Sequence, residues 1–257
     1  MNKIYFYKQI KKKLGLVYPI ILKSLNYLLD FILDQDQILK EISNLKYSEI
    51  KTLLKSSQIN KSDKNYFLKN NNDCEHFSIF KYKDPRIKSL VWQLKFNNNR
   101  KISIILAKFL EEEINQIADK NKGIKNWILI PIPIHRKRRS ERGYNQCEWL
   151  CEEIVKINKK KLVNFKLFYF PKFLVRDKYS VKQSWVSKKE RIENIRNSFS
   201  ISKNCKCRNF FKNREFNKNN SVFLIIDDVY TTGSTTNEAA LCISKFKFKI
   251  ISLTVAN

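Results

Sequence analysis

Apolar positions along this chain recur with two different periods, and the alternation between them outlines a fold. Near the start, Leu25, Leu28, Leu29, Ile32 and Leu33 share one helical face, with Lys23, Asn26 and Asp30 opposite. A second helical stretch covers about residues 37–54, and the polar run SSQINKSDKNYFLKNNND after it reads as a linker. From Phe77 the texture changes. A short strand-like segment leads into a helix from about Pro85, with Asp84 as its cap and Leu90, Val91 and Leu94 as its apolar face. After Asn97, Asn98 and Asn99, a stripe of Ile102, Ile105, Leu106, Phe109 and Leu110 predicts another helix. Residues 127–130 form a continuous apolar run, as expected of a strand buried on both faces, and Pro131 and Pro133 are expected to stop its ladder. Further strand patterns occur at 162–175, 222–226 and 249–255, with helices predicted from Tyr144 and over 236–246. Strands separated by helices predict an α/β fold built on a doubly wound parallel sheet. The domain organisation read from this pattern is a helical N-terminal extension and linker over 1–72, then the α/β domain over 73–257.

Composition changes this picture in three places. Lys23 and Asn26 interrupt the first apolar stretch and no small-residue cleavage site follows, which argues against a membrane span or a secretory signal and for a cytoplasmic protein. The formal charge of +27 favours polyanions or phosphorylated ligands, although Lys is abundant along the whole chain. The six cysteines form no C-x-x-C pair. Cys74, His76, Cys205 and Cys207 lack the spacing of a zinc site, so the thiols read as reduced and structural.

Chemistry concentrates in SVFLIIDDVYTTGSTTNEAAL, residues 221–241. A buried strand delivers Asp227 and Asp228 to its end, and a loop of Thr231, Thr232, Gly233, Ser234 and Thr235 leads into a helix. Such a loop gathers backbone N–H groups at the positive end of the helix, where a phosphate binds well. The two carboxylates are acceptors suited to vicinal hydroxyls, and a sugar phosphate satisfies both halves. With only four glycines in the chain, neither G-x-x-x-x-G-K-[ST] nor G-x-G-x-x-G occurs, which excludes a nucleotide-hydrolysing P-loop. A second cluster, Arg136, Lys137, Arg138, Arg139 and Arg142, follows the strand at 127–130. Cations at a strand end near a phosphate cradle suit a pyrophosphate, and the planar fork of Arg suits it best.

IIDDVYTTGST resembles the 5-phosphoribosyl-1-pyrophosphate (PRPP) motif of the type I phosphoribosyltransferases. IPIPIHRKRRSERGYNQ resembles the P-x-P…R-x-x-R-G-F/Y-N-Q signature of the ComF family, phosphoribosyltransferase-like proteins associated with DNA uptake. LVRDKYSVKQSWVSKKERIENIRNSFSI resembles that family's third block through Arg176, Gln183, Arg191, Asn194 and Phe199, with Val186 where a leucine is usual. The resemblance runs from about residue 77 to 257 and departs at the N-terminus, where a cysteine-rich zinc finger is usual and helices are read instead. The stretch 203–220 is longer and more basic than the family pattern and is expected to be a surface insertion.

The resemblance implies a type I phosphoribosyltransferase sheet that binds PRPP or ribose 5-phosphate with magnesium held by no direct protein ligand. Asp227 and Asp228 would hold the ribose hydroxyls as the catalytic pair, and Thr231, Thr232, Gly233, Ser234 and Thr235 would wrap the 5′-phosphate. Arg136, Arg139, Arg142, Arg176, Gln183 and Arg191 would serve the pyrophosphate, with Lys95 a further anion contact and residues 177–189 a lid. The acceptor is not legible. The alternative is a non-catalytic module that binds a phosphate ligand and handles single-stranded DNA; a homo-oligomer is compatible with either.

Overall fold

The chain divides into two compact units, Met1–Leu53 and Leu54–Asn257. The computed structural model describes residues 38, 40–42, 44–60, 74–161, 163–178, 195–203, 211 and 216–257. In the first unit, helix α1 (Tyr47–Leu53) buries Ile50, and Glu49 accepts a hydrogen bond from the Lys46 N–H at 2.6 Å. The amphipathic stretch around Leu25–Leu33 lies outside the described residues, as do Gln183, Arg191 and Asn194, most of the expected lid, and Cys205 and Cys207.

The second unit runs β1 (Cys74–Phe80), α2 (Pro85–Phe96), α3 (Arg100–Lys120), β2 (Asn126–Pro131), α4 (Arg136–Arg142), α5 (Gln146–Asn158), β3 (Lys166–Tyr169), β4 (Leu174–Arg176), β5 (Phe199–Ile201), β6 (Ser221–Val229), α6 (Ser234–Ile243) and β7 (Lys249–Ala256). Five strands form one parallel sheet in the order β1-β7-β6-β2-β3. Burial explains the sequence texture of the central strands. Along β6, Phe223 and Ile225 join a core cluster with Phe173, Phe199, Ala239 and Ile243, while the intervening Leu224 and Ile226 are equally buried. Both faces are covered, so no polar alternation is possible. This is the doubly wound sheet expected from the sequence, with the arrangement that the type I phosphoribosyltransferase resemblance implies.

Strand order places the crevice. From β2 the chain moves through α5 to β3 on one side, and from β6 it moves through α6 to β7 on the other. Adjacent strands whose connections leave in opposite directions open a cleft beyond their carboxyl ends. The acid pair lies at the end of β6, and the arginine cluster follows β2.

Local chemistry accounts for most boundaries. Asp84 caps α2 by accepting from the Arg86 N–H at 2.9 Å, with Pro85 in the first turn. Pro131 does not stop β2: it pairs with Ile226, and the ladder continues from the Ile132 N–H to the Ile226 carbonyl at 2.9 Å. The missing N–H costs nothing there, because pairing with β3 has already ended at Leu129 and Tyr169. The strand pattern at 162–175 splits into β3 in the sheet and β4 in a separate antiparallel pair with β5. The polar run read as a linker begins along the outer edge of β1, where Gln58 bridges Phe80 and the Ile59 N–H reaches the Ile79 carbonyl at 2.9 Å. The stretch 203–220 is not wholly superficial: Phe216 is buried and Phe211 packs on the same core, with rings 5.5 Å from Phe223 in the case of Phe211. Among the described residues, no helix is long and apolar enough to cross a membrane.

Candidate functional site

Asp227 and Asp228 sit at the carboxyl end of β6, 8% and 4% exposed. Consecutive strand residues point to opposite faces, so the pair is held by different neighbours. Asp228 receives the Lys95 ammonium on Oδ1 at 2.7 Å and the Gln146 amide on Oδ2 at 2.7 Å. Asp227 Oδ1 accepts from the Asp228 N–H at 2.9 Å and from the Cys147 thiol at 3.5 Å. Burial, with the Asp228 charge beside it, pushes the Asp227 carboxyl up to about 7. Burial alone pulls the Lys95 ammonium down, but Asp228, with Asp227 behind it, holds it above its ordinary value. The thiol of Cys147 is raised well above its usual range by burial and by both carboxylates, so it stays protonated and remains a donor.

The turn after β6 is shaped by Gly233, which adopts φ 73° and caps α6. Only glycine fits, because a Cβ there would meet the Tyr230 hydroxyl at 2.2 Å and the left-handed φ is strained for other residues. Thr232 and Ser234 hydroxyls bond each other at 2.8 Å, and the Thr236 hydroxyl donates to the Gly233 carbonyl at 3.0 Å. Among the described residues, no protein group accepts a hydrogen bond from the backbone N–H of Thr231, Thr232, Gly233, Thr235 or Thr236. Those donors, at a helix N-terminus, are the ordinary means of holding an anion.

A cavity of about 390 Å³ joins these parts. Lys95, Gln146, Asp227, Asp228, Thr231 and Thr235 line it, together with Arg138, Arg142 and Arg176 and with Tyr82, Phe96, Ile132 and Ile134. Burial pulls the Arg142 and Arg176 guanidiniums down from their usual values. An arginine stays charged through such a shift, and an incoming anion would relieve it.

The cation cluster lies on a helix, which distributes its side chains. Residues 136–142 form the short helix α4, capped by His135 and closed by Gly143 at φ 83°. Helical spacing puts Arg138 and Arg142 on one side, facing the cavity. Arg136 is exposed and does not line it. Arg139 turns to Glu148 and donates to both carboxylate oxygens, at 2.5 and 2.8 Å. Arg176 reaches the cavity from β4, its guanidinium 5.5 Å over the Phe199 ring. Lys95, expected as an anion contact, lines the cavity and is paired with Asp228. Arg138 belongs to the cation cluster but not to the arginines that the resemblance assigns to the pyrophosphate, and Gln146 and Cys147 enter the site from the structure. The N-Q of the RGYNQ motif was the signal for Gln146, whereas nothing local marks Cys147.

Magnesium can be judged against this donor set. Asp228 already carries an ammonium and an amide, and the thiol near Asp227 is a soft, poor partner for a hard ion. The donor set would suit a magnesium brought by a ligand's own phosphate oxygens better than one held directly by these side chains.

Comparison with known proteins finds similarity to proteins named for competence and DNA utilization. It is 28% identical over 157 residues to Competence protein F of Haemophilus influenzae, covering 61% of each chain. It is 26% identical over 166 residues to Competence protein ComFC of Bacillus subtilis, covering 65% of this chain and 56% of that one. It is 25% identical over 157 residues to the DNA utilization protein YhgH of Escherichia coli K12, covering 61% of this chain and 60% of that one. The match thus spans about 60% of the length of these relatives. No protein-family model matches the chain.

Proposed function

Starting from a ComF-like chain, we propose that the crevice binds a 5-phosphorylated ribose with an anionic group at C1, PRPP foremost, and transfers its phosphoribosyl group to an acceptor during DNA uptake. One observation carries this reading: a buried carboxylate pair and a turn of unspent amides line the same cavity as three guanidiniums. Vicinal hydroxyls suit the first, a terminal phosphate the second and a pyrophosphate the third.

In this mechanism Asp227 and Asp228 orient the ribose and stabilise positive charge as the C1–pyrophosphate bond lengthens. Arg138, Arg142 and Arg176 meet the negative charge accumulating on the leaving group, already in place and partly desolvated. Magnesium, when bound, neutralises the pyrophosphate. Gln183 and Arg191 enter on resemblance alone. The setting proposed is the cytoplasm, in keeping with the unpaired thiols of Cys74, Cys147, Cys151 and Cys242.

Calorimetry with PRPP and with ribose 5-phosphate, each with and without magnesium, tests the reading. Saturable binding is expected, weakened roughly tenfold or more in Asp227→Asn/Asp228→Asn. No heat with either ligand, or identical binding by the double variant, would refute it.

A second reading rests on the charge of +27 and on relatives named for competence and DNA utilization. Here the pocket senses its ligand while the basic surface handles single-stranded DNA. A salt titration separates specific from general attraction: binding that falls steeply with salt and ignores the pocket ligand is charge alone.

A further inference from the structure

The motif segment Tyr144-Asn145-Gln146-Cys147 lies beside the crevice, yet the proposed mechanism assigns it no role. Each of its four side chains ties to a different part of the site. The Tyr144 hydroxyl donates to the Leu94 carbonyl at 3.0 Å and accepts from the Asn98 N–H at 3.2 Å, gripping the end of α2 that bears Lys95. Asn145 donates to the Ile132 carbonyl at 3.0 Å, where the chain leaves β2, and accepts from the Cys147 N–H at 3.0 Å to cap α5. Gln146 donates to Asp228 Oδ2 at 2.7 Å, and its own carbonyl oxygen receives Arg142 at 2.5 Å. Cys147, wholly buried, donates to Asp227 Oδ1 at 3.5 Å.

We propose that Tyr144, Gln146 and Cys147 are positioning residues: the first turn of α5 and the residue before its cap fix both carboxylates, and the lysine paired with Asp228, in the geometry that receives a ribose. This deepens the proposed function and rests on it. The residues need not touch the ligand. Gln146 couples one acid to one arginine, so the acceptor and cation halves of the site are set by a single side chain. Cys147 supplies a weak donor that burial keeps protonated. The groups facing Asp227 and Asp228 are Cys147 from α5, Lys95 from α2, Arg142 from α4 and Arg176 from β4.

The test compares two probes on four proteins. Ribose 5-phosphate engages the acids as well as the anion sites, whereas inorganic phosphate binds at the turn and the guanidiniums without the acids. Gln146→Met and Cys147→Ala are each expected to weaken ribose 5-phosphate roughly fivefold or more and to leave phosphate within about twofold. Cys147→Ser, which restores a hydroxyl donor, recovers part of the loss. Equal weakening of both probes alongside a lowered melting temperature would make the segment merely structural and overturn the proposal, as would no change in either. A ligand-free readout keeps it separable from the proposed function. By carbon-13 NMR, Cys147→Ala should raise the titration midpoint of the Asp227 carboxyl and Cys147→Ser return it. If the unaltered protein binds no ribose 5-phosphate, the functional reading falls while this measurement still decides the positioning role; an unmoved midpoint overturns it.

Discussion

Two buried polar clusters lie on neighbouring strands of the same sheet, and they have opposite characters. Between β1 and β7, His76 is held at Nδ1 by Ser252 at 2.6 Å and at Nε2 by Ser78 at 2.8 Å, and Ser78 meets Thr254 at 2.6 Å. Every member has its partner, and burial drives the imidazole down to about 3, so it stays neutral. One strand over, Asp228 of β6 is paired with the Lys95 ammonium, and the adjoining turn keeps amides whose hydrogen bonds no described protein group accepts. Burial of polar groups therefore does not mark a site by itself. What marks it is hydrogen-bonding capacity left over, facing a cavity. Tyr230 links the two: its ring stacks on His76 at 3.7 Å and fills the space beneath Gly233.

The largest effect should come from breaking that link. Gly233→Ala forces a Cβ onto the Tyr230 hydroxyl at 2.2 Å and places alanine at φ 73°. Strain and overpacking together predict a loss of about 2–4 kcal/mol in denaturant unfolding. Retention of full stability would mean that the tyrosine is not the floor of the turn.

A subtler contrast appears on titration. Asp227 has its folded pKa raised, so the folded state holds more protons and stability falls as pH rises from about 4 to 7. His76 has its folded pKa lowered, so the unfolded state holds more protons and stability falls as pH drops from about 6.5 toward 3. The two slopes oppose each other across pH 4–6.5. Removing either should expose the other: Asp227→Asn should gain stability as pH rises through that window relative to the unaltered protein, and His76→Asn should lose it. A change of about 1–2 kcal/mol in each direction is expected in urea unfolding at pH 5 and 7. Parallel pH profiles for both variants would break the comparison.

The smallest effect belongs to the surface. Arg139, half exposed and paired with Glu148, should lose at most about 1 kcal/mol on substitution by alanine. Ribose 5-phosphate binding should be unchanged, because Arg139 does not line the cavity. Weakened binding would return this arginine to the site.

Legibility followed the range of the interactions. Strand β6, its acids and the glycine turn are contiguous, so apolar run, carboxylates and hydroxyls could be read in order. Spacing alone also pairs two of the cations, since Arg138 and Arg142 stand four apart on a helix. Lys95 could not be assigned locally, because its partner Asp228 comes from a distant strand. The place of Phe211 in the core was equally hidden, as its surroundings in sequence are strongly basic.

By itself, then, the amino-acid order determined the alternation of strands and helices, the burial of the central strands and the position of the acids and turn at a strand end. These depend on the spacing of apolar groups and on backbone chemistry, both of which are local. Only the tertiary structure decided which donors reach which carboxylate, which arginines face inward, and which amides are left unspent. Those outcomes depend on strand order, because the sheet alone brings α2, α4, α5 and β6 to one crevice, and hydrogen bonds act only over a few ångströms.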